Sequence, residues 1–246
     1  MKFALLNQSS VTSALVQKMV EAIRIHLGHL CAAWERLPVA IDFYPGATVA
    51  PAGEIPLVIF QHPDLAGALG YHDVDPLGRP YGRAFLSVIP GGAVLYDPSG
   101  LGQCLAAVLM HEADEIVGDE FATDWADGPF VDVKGGKQCA SVARELCDPV
   151  QATAYFITLT DGTNVSATNF VLPSWFNPKS KGERYDYLSV LSAPLTVVAG
   201  GYVIARDAPG SERNVEAAEP VAHWRLVHGW LPGGRRGRRL PMAAAA

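Results

Sequence analysis

The chain has 246 residues, 49% hydrophobic and 18% charged, with 24 Gly and 18 Pro. This composition excludes a coiled coil, a collagen-like rod and a wholly disordered chain, and leaves a loop-rich globular protein large enough to bury a core without disulfides. The net charge is −6, but four Arg (Arg235, Arg236, Arg238, Arg239) sit in the last residues, so the body over 1–232 has 15 basic side chains against 25 acidic ones, a net −10. Such a body has no broad field for phosphates, which argues against nucleic acid as the main ligand.

The opening Met1–Asn7 is too short for a signal peptide, and the most apolar stretch, 189–204, is interrupted by Pro194, Gly200 and Gly201, so neither a membrane span nor general export is expected. The four cysteines, Cys31, Cys104, Cys139 and Cys147, show no CxxC spacing and suit a reduced cytoplasm. With no internal repeat and no boundary signal, one domain over 1–232 is expected, followed by a basic, disordered tail over 233–246.

In chain order, Ser9 and Ser10 are potential caps. Apolar residues then recur at Val11, Leu15, Met19, Ile23, Leu27, Leu30, Trp34 and Leu37, the steps of a long amphipathic helix that Pro38 ends. His26 and His29 on it are expected to be surface or satisfied core histidines. Strand-like runs follow at Val39–Phe43, Pro56–Phe60, Phe85–Ile89 and Ala93–Tyr96. Between them, the polar, Gly- and Pro-rich stretch from Gln61 to Gly82 reads as a surface excursion, with His62 and His72 exposed in it. A second helix is expected from about Pro98 to Gly118, and a third over Ala140–Cys147, stopped by Asp148-Pro149. Ala154–Leu159 and Val165–Val171 flank Asp161-Gly162, a hairpin signal; Leu195–Val198 and Tyr202–Ala205 around Gly200-Gly201 suggest another. Residues 207–222 read as a loop. The alternation predicts an α/β or α+β sheet packed on the first helix.

The chemistry is concentrated in His111-Glu112-Ala113-Asp114-Glu115, an HExxE on the apolar second helix. Residues four apart share a helix face, so His111 and Glu115 have the spacing of metal ligands. Glu112 stands where HExxH metallohydrolases keep the carboxylate that takes a proton from water, and is the candidate general base. Glu145 is the best candidate for a third ligand, and one His with two carboxylates leaves a position open for water. Asp119 is a further candidate ligand or partner of His111, and Asp148 of Glu145. The competing interpretation makes these acids helix caps or ion-pair partners of Arg144 or Lys137. Cys104 and His111 lie about 10 Å apart along one helix, too far for a thiolate–imidazole pair, and neither GxSxG nor GxxxxGK[ST] is present. His223, Tyr155 and Tyr202 are open candidates for an oxyanion donor. The stretch Asn169–Phe176 reads as packing more than as a cleft wall.

Trp34, His111 to Asp119, Glu145 to Val150, Asn169 to Phe176 and Gly200 to Tyr202 match in order the pattern of a group of uncharacterised phage-encoded zincin-like proteins, which the chain resembles over most of residues 10–205. Glu120 departs from it, standing where a Pro commonly follows the Asp. The resemblance implies an α+β, zincin-like mixed sheet packed on the long first helix and the HExxE helix, with C-terminal β hairpins. It also implies His111, Glu115 and Glu145 as metal ligands and Glu112 as general base. Zn²⁺ is the expected ion, with Mn²⁺ or Ca²⁺ admitted by the acidic ligand set. Two functions follow: a metallopeptidase-like hydrolase acting on a peptide or protein, bound along the Phe85–Ile89 edge, or a non-catalytic virion component of head, neck or tail. The second would pack against other virion subunits, as a homo-oligomer within the particle, around a structural or vestigial metal site. Either places the protein in the virion or the host cytoplasm.

Overall fold

A computed structural model describes residues 1–133, 136–206, 212–216 and 225–226, the side chains of 128–133, 136–140, 212–216 and 225–226 excepted. The opening residues form strand β1, Lys2–Gln8, which the sequence pattern does not announce because Phe3 to Leu6 are buried without alternation. Such a run is expected of a central parallel strand covered on both faces. Helix α1, Ser13–Ala33, starts later than the paired serines suggest; Thr12 is its cap, its side chain accepting from Leu15 N. The apolar stripe is buried as expected, from Val16 to Leu30.

Strands β2 (Ala40–Phe43), β3 (Ile55–Phe60), β4 (Gly70–Val74) and β5 (Pro80–Phe85) complete a five-stranded sheet in the order β2-β1-β3-β5-β4. All its pairings are parallel except β4 with β5, which is antiparallel and leaves β4 at the edge. The Gln61–Gly82 segment contains strand β4 and the start of β5, and Phe85–Ile89 is no edge strand. Phe85 ends β5, an interior strand, and Leu86–Val88 is a 3-10 turn. Ala93–Tyr96 is not a strand either.

Helix α2, Leu105–Gly118, begins seven residues later than Pro98 and lies against β4, β5 and α1. Beyond it the chain is mostly antiparallel. Strands β6 (Trp125–Val133) and β7 (Gly136–Ala143) form a hairpin, so the helix expected over Ala140–Cys147 is replaced by the end of a strand and a loop, followed by a 3-10 turn at Asp148–Val150. Pairing of Val142 and Ala143 with Ala126 and Trp125 of β6 keeps this stretch from starting a helix. Strands β8 (Ala154–Thr158) and β9 (Asn164–Thr168) are the expected hairpin at Asp161-Gly162.

From Leu195 onward only the second half of the expected hairpin is a strand: β10 (Tyr202–Arg206) pairs with β7 and with β11 (Glu212–Glu216), and β11 with β12 (Arg225–Leu226). Residues 207–222 therefore include a strand. The tail over 233–246 lies outside the described residues. One continuous apolar core joins α1, α2, the mixed sheet and the Phe170–Phe176 segment. Trp34 Nε1 donates to Val171 O at 2.9 Å and Trp175 Nε1 to Thr196 O at 2.8 Å, so the Asn169–Phe176 stretch does serve as packing. Among the described residues the fold is thus mixed α+β, with two α-helices on a mixed sheet.

Candidate metal centre

Helix α2 is buried along nearly its whole length, including Glu112, Asp114 and Glu115. Burying three carboxylates on one helix is costly unless each finds a charged or hydrogen-bonding partner. Asp114 finds its partners towards α1: its Oδ2 lies 2.7 Å from His26 Nε2 and accepts from Cys147 Sγ at 3.5 Å. The other two face a pocket between α2, strand β4 and the Arg144–Val150 loop.

Glu115 occupies the centre of that pocket. Its Oε1 lies 3.0 Å from His111 Nε2 and its Oε2 lies 3.1 Å from His72 Nδ1. His111 Nε2 also lies 3.2 Å from Asp148 Oδ1. His72 Nδ1 is 3.8 Å from Glu112 Oε2, and its Nε2 is 3.5 Å from Glu145 Oε2. Two groups of possible ligands result, His111–Glu115–Asp148 and His72–Glu112–Glu115, each with ligand atoms within 4.8 Å of one another. The structure therefore places His, Glu and Asp side chains where a metal ion can be held.

Of the residues expected at the site, His111, Glu112 and Glu115 come together. Glu145 lines the same pocket and meets His72, while Asp148 closes the group around His111 and Glu115. Asp119 is drawn away from the site. Its carboxylate accepts from Thr123 N at 3.0 Å and Asp124 N at 2.8 Å, which caps the turn after α2. Tyr155 lies with His26 on the far side of α2, Tyr202 lines the pocket, and His223 lies outside the described residues. His62 is exposed as expected, its Nδ1 3.2 Å from Ser87 Oγ. His72, expected to be exposed, has a side chain only 8% exposed and is the candidate ligand the sequence pattern hides.

The electrostatics follow from this crowding. Burial pushes the His111 imidazole towards the neutral form, but Glu115 and Asp148 outweigh it and raise its pKa well above the ordinary value. For His72 the same burial is outweighed by Glu145, Glu112 and Glu115, with the same result. Burial drives Glu112 upward, and drives Asp148 strongly upward with help from Glu115. Glu115 is also pushed up by burial, yet the two imidazoles hold it below the usual carboxylate range.

The donor set passes a test of fit for a divalent cation. Glu115 Oε1 and Asp148 Oδ1 are fully buried and stand at ion-pair distance from His111 Nε2, out of line for a hydrogen bond. Lone pairs converging on a common point without a directed donor are what a cation satisfies. Compared with family models, curated proteins and solved structures, the chain matches none.

Proposed function

We propose that the protein is a metal-dependent peptidase-like hydrolase of phage origin, with His111 Nε2, Glu115 Oε1 and Asp148 Oδ1 as ligands of Zn²⁺. The observation that supports this most directly is the convergence of these three atoms at the floor of a pocket, with Glu112 one residue round the helix from His111. Zn²⁺ held there supplies Lewis acidity, polarising a scissile carbonyl and acidifying water. One imidazole with two carboxylates is a hard set, so Mn²⁺ and Ca²⁺ are competing occupants.

Glu112 accepts the proton released when water attacks the carbonyl and hands it to the leaving amine; the upward push of burial on its carboxyl suits that exchange. Tyr202 lines the pocket with Asp148 and is the neighbour placed to orient that ligand. Gly201 is what lets β10 come this close, since a Cβ there would lie 2.5 Å from Pro149 O. The substrate is an extended peptide added to β4, whose outer edge carries no strand among the described residues and whose His72 reaches into the pocket.

Glu112→Gln tests the reading. Turnover of a peptide library should fall by about 10²–10⁴-fold while the Zn²⁺ held by His111, Glu115 and Asp148 is retained. If wild type loaded with Zn²⁺, Mn²⁺ or Ca²⁺ cleaves nothing that Glu112→Gln spares, the hydrolase is ruled out, and a non-catalytic virion component with a structural metal takes its place.

A further inference from the structure

The pocket holds more acid than one cation neutralises. Glu112, Glu115, Glu145 and Asp148 are all buried around it, and none of its described lining residues is Lys or Arg. A single divalent ion offsets two of those four charges and an imidazolium at His72 a third, so the set stays acidic. His72 completes a second set of donors: its side chain is 8% exposed, and its Nδ1 stands 3.1 Å from Glu115 Oε2 and 3.8 Å from Glu112 Oε2. Glu115 thus presents one oxygen to His111 and the other to His72.

We infer that His72, Glu112 and Glu115 form a second divalent-cation site, with Glu115 as the carboxylate bridging it to the first. Nδ1 of His72 is the ligand atom. Its Nε2 stands 3.5 Å from Glu145 Oε2, so a carboxylate flanks the ring nitrogen that does not ligate. Paired cations sharing ligands stand about 3.5–4 Å apart, a separation one bridging carboxylate spans. The two ions together match the four carboxylates in charge. Glu112 is the proton acceptor in the one-ion form and a ligand in the two-ion form.

The inference rests on the metal-centre reading above, and counting ions separates the two. Full-length protein equilibrated with Zn²⁺ alone, freed of loose metal and analysed for metal per chain, should hold two ions. His72→Ala should hold one, and Glu115→Ala none, because both sites lose their shared ligand. With Mn²⁺, the wild type should give the electron paramagnetic resonance signature of a coupled pair, and His72→Ala that of an isolated ion. One ion in the wild type overturns the second site and leaves the first; none removes both. Two ions surviving in His72→Ala, or one surviving in Glu115→Ala, overturns the shared geometry. Should a variant not fold, the wild-type count and the coupling signal still decide.

Discussion

Helix α2 buries a His–carboxylate cluster on each of two sides, and the two are built differently. Towards α1, His26 Nε2 meets Asp114 Oδ2 at 2.7 Å and His26 Nδ1 meets the Tyr155 hydroxyl at 2.9 Å, so both ring nitrogens have a directed partner. One atom, Asp114 Oδ1, is left over. Towards β4, His72 Nε2, Glu115 Oε1 and Asp148 Oδ1 are buried with contacts that no hydrogen bond aligns. The first cluster is closed and has nothing to gain from a ligand; the second is convergent and incomplete. Burial of a histidine therefore does not by itself mark a site. What marks it is the direction in which the buried lone pairs point.

The comparison breaks most sharply at Asp114. Asp114→Ala leaves His26 buried without its carboxylate, and removing one partner of a buried pair costs about 3–5 kcal/mol. Chemical denaturation should show that loss equally with and without metal. A loss that appears only in the metal-loaded protein would mean that the α1 side belongs to the site. Next in size is the metal itself: at a hundredfold excess of free Zn²⁺ over Kd, the wild type should gain about 2.7 kcal/mol from a first ion. Thermal unfolding should register the full gain in the wild type and in Tyr155→Phe, and a smaller one in His111→Ala, which loses the ion that His111 holds.

Protonation sharpens the same contrast. Glu115 and Asp148 raise the His111 imidazole well above its ordinary range, so the metal-free site holds that proton at neutral pH. Metal binding must expel it. Affinity should therefore fall as pH drops, and should still be climbing with pH above the ordinary histidine value of about 6.5, by up to about 1.4 kcal/mol per pH unit for each proton displaced. Competition against a chelator whose own pH dependence is known measures this. A plateau beginning near pH 6.5 would show that the carboxylates do not hold the imidazole as described.

The sequence made much of this legible because the helices carry long periodic signals. The α1 stripe, the HExxE face of α2 and the Asp161-Gly162 hairpin are local patterns that tertiary packing did not override. His72 was hidden for a physical reason. Gly70-Tyr71-His72-Asp73-Val74 looks like a loop because it opens on a glycine and mixes polar with apolar residues, yet that glycine is what lets the strand lie on the helix. A Cβ at residue 70 would come within 2.6 Å of Glu112 Oε1 and 2.8 Å of Arg83 O. The feature that masks the strand is the feature that brings it over the site. The preference for Asp148 beside His111 was equally out of reach. It depends on residues 140–143 being strand, which the β6 pairing decides.

The smallest expected effect isolates the closed cluster. Tyr155→Phe removes only a hydroxyl, which faces His26 Nδ1 at 2.9 Å and His29 Nδ1 at 3.2 Å. His26 is fully buried, so its Nδ1 is left without a partner, and the cost should be about 1 kcal/mol. The ring itself still packs against His26 and Tyr187, so no cavity opens. Metal per chain and metal affinity should not change, because Asp114 and Glu115 project in different directions from α2, about 100° apart round its axis. A shift in either would show that the His26–Asp114 pair sets the register of α2 and, through it, the spacing of the ligands. The two clusters would then be one unit divided by a helix.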